Sequence, residues 1–148
     1  MAKASSAVDV RPRVWYRTIE IGPIVFGSTP EADDIVERHG DGLSLTSSDN
    51  DFYPLVRLET WEGPPADPDG QWDYVRVFQG DLEDRLCVVD LNGNEHGRIE
   101  VRPGPYRIRV SCQGRDHKSA LLALDPFPPV GPHADPLETW LVQLWPDR

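Results

Sequence analysis

Tyr106-Arg107-Ile108-Arg109-Val110-Ser111-Cys112 alternates without a slip, and it decides the fold class. Successive side chains of an extended strand leave opposite faces, so Tyr106, Ile108, Val110 and Cys112 belong to a core face, while Arg107, Arg109 and Ser111 point outward. Working outward from it, Pro103-Gly104 fits the middle of a type II turn. Asn92-Gly93, between Leu86–Leu91 and Arg98-Ile99-Glu100-Val101, is a hairpin signal, because both central residues of a type I′ turn need positive φ. Further upstream Asp73, Val75 and Val77 alternate with Trp72, Tyr74, Arg76 and Phe78, and Gly80-Asp81 closes that run. In Leu55–Trp61, Val56, Leu58 and Thr60 share one face and Arg57 and Glu59 the other. Between these two runs lies a loop, Gly63 to Gly70, whose prolines exclude a helix or a central strand.

Toward the N-terminus, Val14–Ile21 is β-branched and aromatic, and Gly22-Pro23 separates it from Ile24-Val25-Phe26, which predicts two short strands. Thr29-Pro30-Glu31 has the form of an N-cap, a first-turn proline and an early acid. With Ile35, Val36 and His39 at helical spacing before Gly40, it predicts one short helix. Near the other end, Asp125–Pro136 is a proline-rich crossing. Thr139–Pro146, apolar on both faces, reads as a strand covered on both sides or a short buried helix. Residues 1–12 are small and polar, the composition of a disordered arm. About eight short strands and one helix then make residues 13–148 a single, mainly β domain: an antiparallel β-sandwich, jelly-roll-like.

The chain has 148 residues, within the size of one domain, and fifteen Lys and Arg against twenty-five Asp and Glu give it a formal charge of -10. That charge repels nucleic-acid phosphates and favours a basic protein as partner. It is also unevenly spread: residues 30–100 hold eighteen acids and five arginines, whereas residues 101–118 hold five bases and one acid. The N-terminus lacks the apolar core of a signal peptide, and no apolar run approaches the ~20 residues that span a bilayer, so no membrane contact and a cytoplasmic location are expected. Cys87 and Cys112 lie in apolar alternating runs and read as free, buried thiols. Oligomeric state has no signature here.

Pro103-Gly104-Pro105-Tyr106-Arg107-Ile108-Arg109-Val110, then Gly114-Arg115-Asp116, then Glu138-Thr139-Trp140-Leu141-Val142-Gln143-Leu144-Trp145-Pro146 resemble a group of small acidic bacterial proteins. Their segments run G-x-Y-R-V-R-V, G-R-D and L-x-Q-x-W-P. The resemblance covers the last third of the chain well and the centre loosely. It implies a bacterial origin and a shared β domain, and carries no activity or catalytic residues.

Three surfaces could hold a function. Trp61 and Trp72 flank the Gly63–Gly70 loop, where an exposed ring could stack on a sugar or grip a protein, although core packing is the ordinary use of tryptophan. Within it Asp67 and Asp69, followed by Gln71 and Asp73, supply oxygens at alternate positions. Gly70 and Phe78 stand where a calcium loop needs other residues, so an acidic solvated loop is the better reading and no metal is expected. Arg115, Asp116 and His117 follow a strand end and could present a guanidinium, a carboxylate and an imidazole together. Cys112 beside His117 would make a nucleophile and base only if it faced outward. The histidines have no metal-ligand spacing, and no cofactor-binding fingerprint is present.

These observations order three readings. First is a non-enzymatic cytoplasmic binding protein, of the immunity or inhibitor kind, whose acidic region engages a basic protein. The alternative is a ligand-binding β-sandwich for a carbohydrate-like molecule at Trp61 and Trp72. An enzyme centred on Arg115, Asp116 and His117 comes third.

Overall fold

The computed structural model describes residues 3–14, 16–28, 33–48, 53–115 and 135–147. Among them ten strands form two five-stranded sheets. In chain order the strands are β1 (Ala4–Val10), β2 (Thr18–Gly22), β3 (Val36–His39), β4 (Gly42–Thr46), β5 (Leu55–Trp61), β6 (Tyr74–Leu82), β7 (Arg85–Val89), β8 (Glu95–Glu100), β9 (Gly104–Gln113) and β10 (Thr139–Pro146). The first sheet runs β1, β5, β10, β9, β6, and the second β3, β4, β2, β7, β8.

Period-two alternation places the core. Ile108, Val110 and Cys112 of β9 are fully buried in one cluster with Trp140, Val142 and Leu144 of β10, Val56 and Leu58 of β5, and Ile19, Ile21, Leu43, Leu45, Leu86 and Val88 of the second sheet. β10 is buried on both faces, as its composition predicts: Trp140, Val142 and Leu144 lie in the core cluster, and Leu141, Gln143 and Trp145 are buried on the opposite face. It pairs antiparallel with β9 but parallel with β5. That parallel pair and the count of ten strands depart from a jelly roll, which is built of eight antiparallel strands in two Greek keys.

Several expectations need correction. Residues 4–10, expected in a disordered arm, form β1, paired antiparallel with β5 from Ala4 opposite Trp61 to Val10 opposite Val56. A ladder uses backbone groups, so a small polar sequence can join an edge, and Ser6 Oγ adds a 2.7 Å hydrogen bond to Thr60 Oγ1. Val10 also finds a seat on the second sheet: Gly97 of β8 has no side chain there, and a Cβ would clash with Val10 Cγ2. The expected helix is not formed at Val36–His39, which is β3, and no described residue is helical; Thr29-Pro30-Glu31 lies outside the described residues. The Asp33 carboxylate accepts the N–H groups of Ile35 and Val36 at 2.8 and 2.7 Å, and Gly40, at φ 58°, turns the chain back into β4. Pairing of Val36 with Leu45 thus overrides the helical spacing. The strand expected from Val14 starts only at Thr18, because Tyr16 and Arg17 adopt positive φ. Ile24–Phe26 contributes a single bridge, Val25 to Asp81. In the β7–β8 hairpin only Gly93 of the Asn92-Gly93 pair has positive φ; the Asp90 carboxylate instead accepts the N–H groups of Asn92 and Asn94, which makes a longer loop than a type I′ turn.

Cys87 and Cys112 are both buried and unbridged. Unfolding without reductant followed by alkylation is expected to modify both, and mass spectrometry reads the result. An unmodified chain lighter by two hydrogens would show a disulfide instead.

Candidate functional site

On its outer face the first sheet carries a continuous polar network. Arg109, expected to face solvent, does leave the core side of β9, but it is only 7% exposed because the loop after β5 lies over it. Its Nε and Nη2 both donate to Gln143 Oε1, at 2.9 and 2.7 Å, and Nη2 also donates to the Ala66 carbonyl at 2.7 Å. Nη1 reaches Asp67 Oδ1 at 3.4 Å, and the guanidinium carbon stands 5.8 Å from the centre of the Trp145 ring. One buried fork therefore ties two strands to a loop.

Through Gln143 the network continues across β10 to β5 and β1. Gln143 Nε2 donates to Glu59 Oε1 at 3.0 Å, and Arg57 donates to Glu59 Oε2 at 2.8 Å and to Asp9 Oδ1 at 3.0 Å. Burial works against ionisation of Glu59, yet the hydrogen bonds from Arg57, Gln143 and Trp61 outweigh it and hold the carboxyl below its usual range. Ser111, on the same face, is fully buried rather than outward in water.

Trp61 and Trp72 both belong to this region and are half-buried. Trp61 Nε1 donates to Glu59 Oε1 at 3.0 Å, and Trp72 Nε1 donates to the Asp69 carbonyl at 3.0 Å. Asp73 accepts the Gly114 N–H at 2.9 Å and closes the loop onto the end of β9. Asp67 and Asp69 are exposed, and the Asp67 side chain is fully so. The loop is thus pinned at both ends and at Ala66 while its carboxylates face water. No group of three or more potential metal-ligating side chains occurs among the described residues.

The second sheet carries acidic side chains too, and some of them are paired with bases. A shallow cleft of about 180 Å³ is lined by Glu20, His39, Asp41, Arg85 and Glu95. There Glu20 pairs with His39 at 2.9 Å and Glu95 with Arg85 at 3.1 Å.

Of the third candidate, only Arg115 is described; Asp116 and His117 lie outside the described residues. Arg115 is half-buried and donates to the Thr46 carbonyl at 3.2 Å. Cys112 points into the core, and burial pushes its thiol well up, opposite to what a nucleophile requires. Sequence reasoning missed Arg109 and Gln143 as loop anchors. The one polar residue inside the apolar run Trp140–Trp145 was the available signal.

Together these features define a two-sheet β protein that displays a braced acidic loop on one face. No family model matches the chain, and no curated protein does. Among solved structures it is similar to ComJ, the inhibitor of the DNA degrading activity of NucA from Bacillus subtilis, at 10% identity over 99% of both chains with a TM-score of 0.59. It is also similar to crocagin biosynthetic gene J, at 16% identity over 100% of this chain and 99% of that one, with a TM-score of 0.57. At such identities the likeness is one of fold.

Proposed function

We propose that this chain is a non-enzymatic cytoplasmic binding protein of the inhibitor or immunity kind, which captures a basic protein through its acidic surface. The observation that carries the reading is the braced loop. Arg109, itself buried, holds Ala66 in place and leaves Asp67 and Asp69 presented to solvent on a chain of net charge -10. Rigid placement lowers the entropy lost on binding, and negative charge steers a positive partner into contact. That ComJ inhibits a DNA-degrading protein supports an inhibitory use of this fold. Proteins that bind DNA carry Lys and Arg for its phosphates, and such a surface is the complement of this one.

Association kinetics test the proposal. Raising ionic strength from ~0.01 to ~0.15 M shortens the screening length from about 30 to about 8 Å, and the association rate is expected to fall roughly tenfold or more while dissociation changes less. Asp67→Lys, Asp69→Lys and Glu83→Lys together should slow association similarly and leave the melting transition in place, since exposed charges contribute little to stability. An acidic partner, or a rate indifferent to salt and to these reversals, would sink the reading.

A further inference from the structure

β6 ends the first sheet, and the bridge to Val25 shows which of its backbone groups face outward. The Asp81 N–H donates to the Val25 carbonyl at 2.8 Å, and the Val25 N–H donates to the Asp81 carbonyl at 2.9 Å. In an antiparallel ladder, alternate residues aim both backbone groups at the same edge, and β6 pairs with β9 from Tyr74 to Leu82 without a register break. Val75, Val77 and Gln79 therefore aim their N–H and C=O groups outward with Asp81. Among the described residues these three have no backbone partner on that side.

The side chains agree with an open edge. Val75 and Val77 are 52% and 44% exposed, two of the five large apolar side chains left in solvent among the described residues. Behind them Tyr74 and Arg76 both donate to Asp33 Oδ2, at 2.9 and 2.6 Å, which fixes the strand from its other face. From Val75 to Gln79 the open edge is about 17 Å long at ~3.3 Å per residue.

Charge decides which strand fits. The open stretch is bracketed by exposed Asp73 and Asp81, with Glu83 beyond. Two copies of this chain pairing antiparallel about Val77 would set Asp81 of each opposite Asp73 of the other, and like charges directly opposite are destabilising. We infer that the Val75–Gln79 edge of β6 takes an extended segment of a protein partner by strand addition. That segment carries apolar residues at alternate positions against Val75 and Val77, and basic residues at both ends near Asp73 and Asp81. The inference rests on the basic partner proposed above and gives it a place and a binding mode. Backbone hydrogen bonds supply attraction, and the charged ends supply choice of partner.

The probe is the peptide Lys-Arg-Val-Thr-Val-Thr-Val-Arg-Lys, titrated into the whole protein while amide hydrogen exchange is followed residue by residue. At saturation, exchange at Val75, Val77 and Gln79 is expected to slow about tenfold or more. N-methylation of the peptide nitrogens that face β6 should abolish the effect, as should Val77→Pro, which removes a donor that β9 does not use. Failure of a peptide with Glu in place of Lys and Arg supports the charged ends. If that acidic peptide protects the same amides equally well, strand addition stands and the basic-partner reading falls. Protection confined to Gly63–Gly70, or undiminished binding by the N-methylated peptide, overturns strand addition and leaves the basic-partner reading intact. Protection of the three amides that grows with protein concentration alone overturns it in favour of a second copy.

Discussion

Ile108→Ala is expected to lower the free energy of unfolding by about 2–5 kcal/mol, the range for truncating a buried isoleucine and leaving a cavity behind. Ile108 is fully buried at the centre of β9, opposite Leu144 of β10 and Phe78 of β6. A strand paired on both sides has little freedom to collapse into the space. Arg107→Ala, one residue away, is expected to cost no more than about 1 kcal/mol, because its ion pair with Asp147 at 3.1 Å is exposed and screened by water. Denaturant melts at equal slope compare the two. An arginine variant less stable than the isoleucine variant would mean that the facing of β9 is the reverse of the one described.

β9 and β10 were legible because their chemistry is local. Alternation in Tyr106–Cys112 and unbroken apolarity in Trp140–Trp145 state which faces are covered, whatever the neighbours are. β1 and β3 were not legible. Ladder bonds require only backbone, so Ala4–Val10 advertises nothing, and the spacing of Ile35, Val36 and His39 suits a helix until Leu45 is offered as a partner. The parallel register of β5 and β10 joins Leu55 to Thr139 across a long stretch of chain, and no local signal encodes that. At the candidate site, Asp67 and Asp69 could be placed on one loop, with Trp61 and Trp72 flanking it, because proline punctuates it. What holds the loop was hidden: alternation shows that Arg109 leaves the core, and says nothing of a loop folded over it.

Arg109 and Arg107 share a strand face and a charge but differ in burial, so replacing each with alanine isolates what burial adds. Arg109→Ala deprives Gln143 Oε1 and the Ala66 carbonyl of their donors. The buried Gln143 acceptor left without a donor costs about 1–3 kcal/mol and the solvent-reachable Ala66 carbonyl less, on the order of 2–3 kcal/mol in all, against about 1 or less for Arg107→Ala. Arg109→Lys should recover only part of the loss, since one ammonium cannot reproduce a planar fork that reaches a side-chain amide and a backbone carbonyl together. The consequence for binding follows from the same bonds. With Ala66 released, amide exchange across Gly63–Gly70 is expected to speed up, and the partner must then order the loop that Arg109 had ordered beforehand, so dissociation quickens at unchanged net surface charge on the loop. Arg107→Ala should leave both readouts where they were. If the two alanine variants melt alike and release the partner alike, Arg109 is not the brace of the loop, and the placement of Asp67 and Asp69 must come from the Trp72 and Asp73 contacts alone.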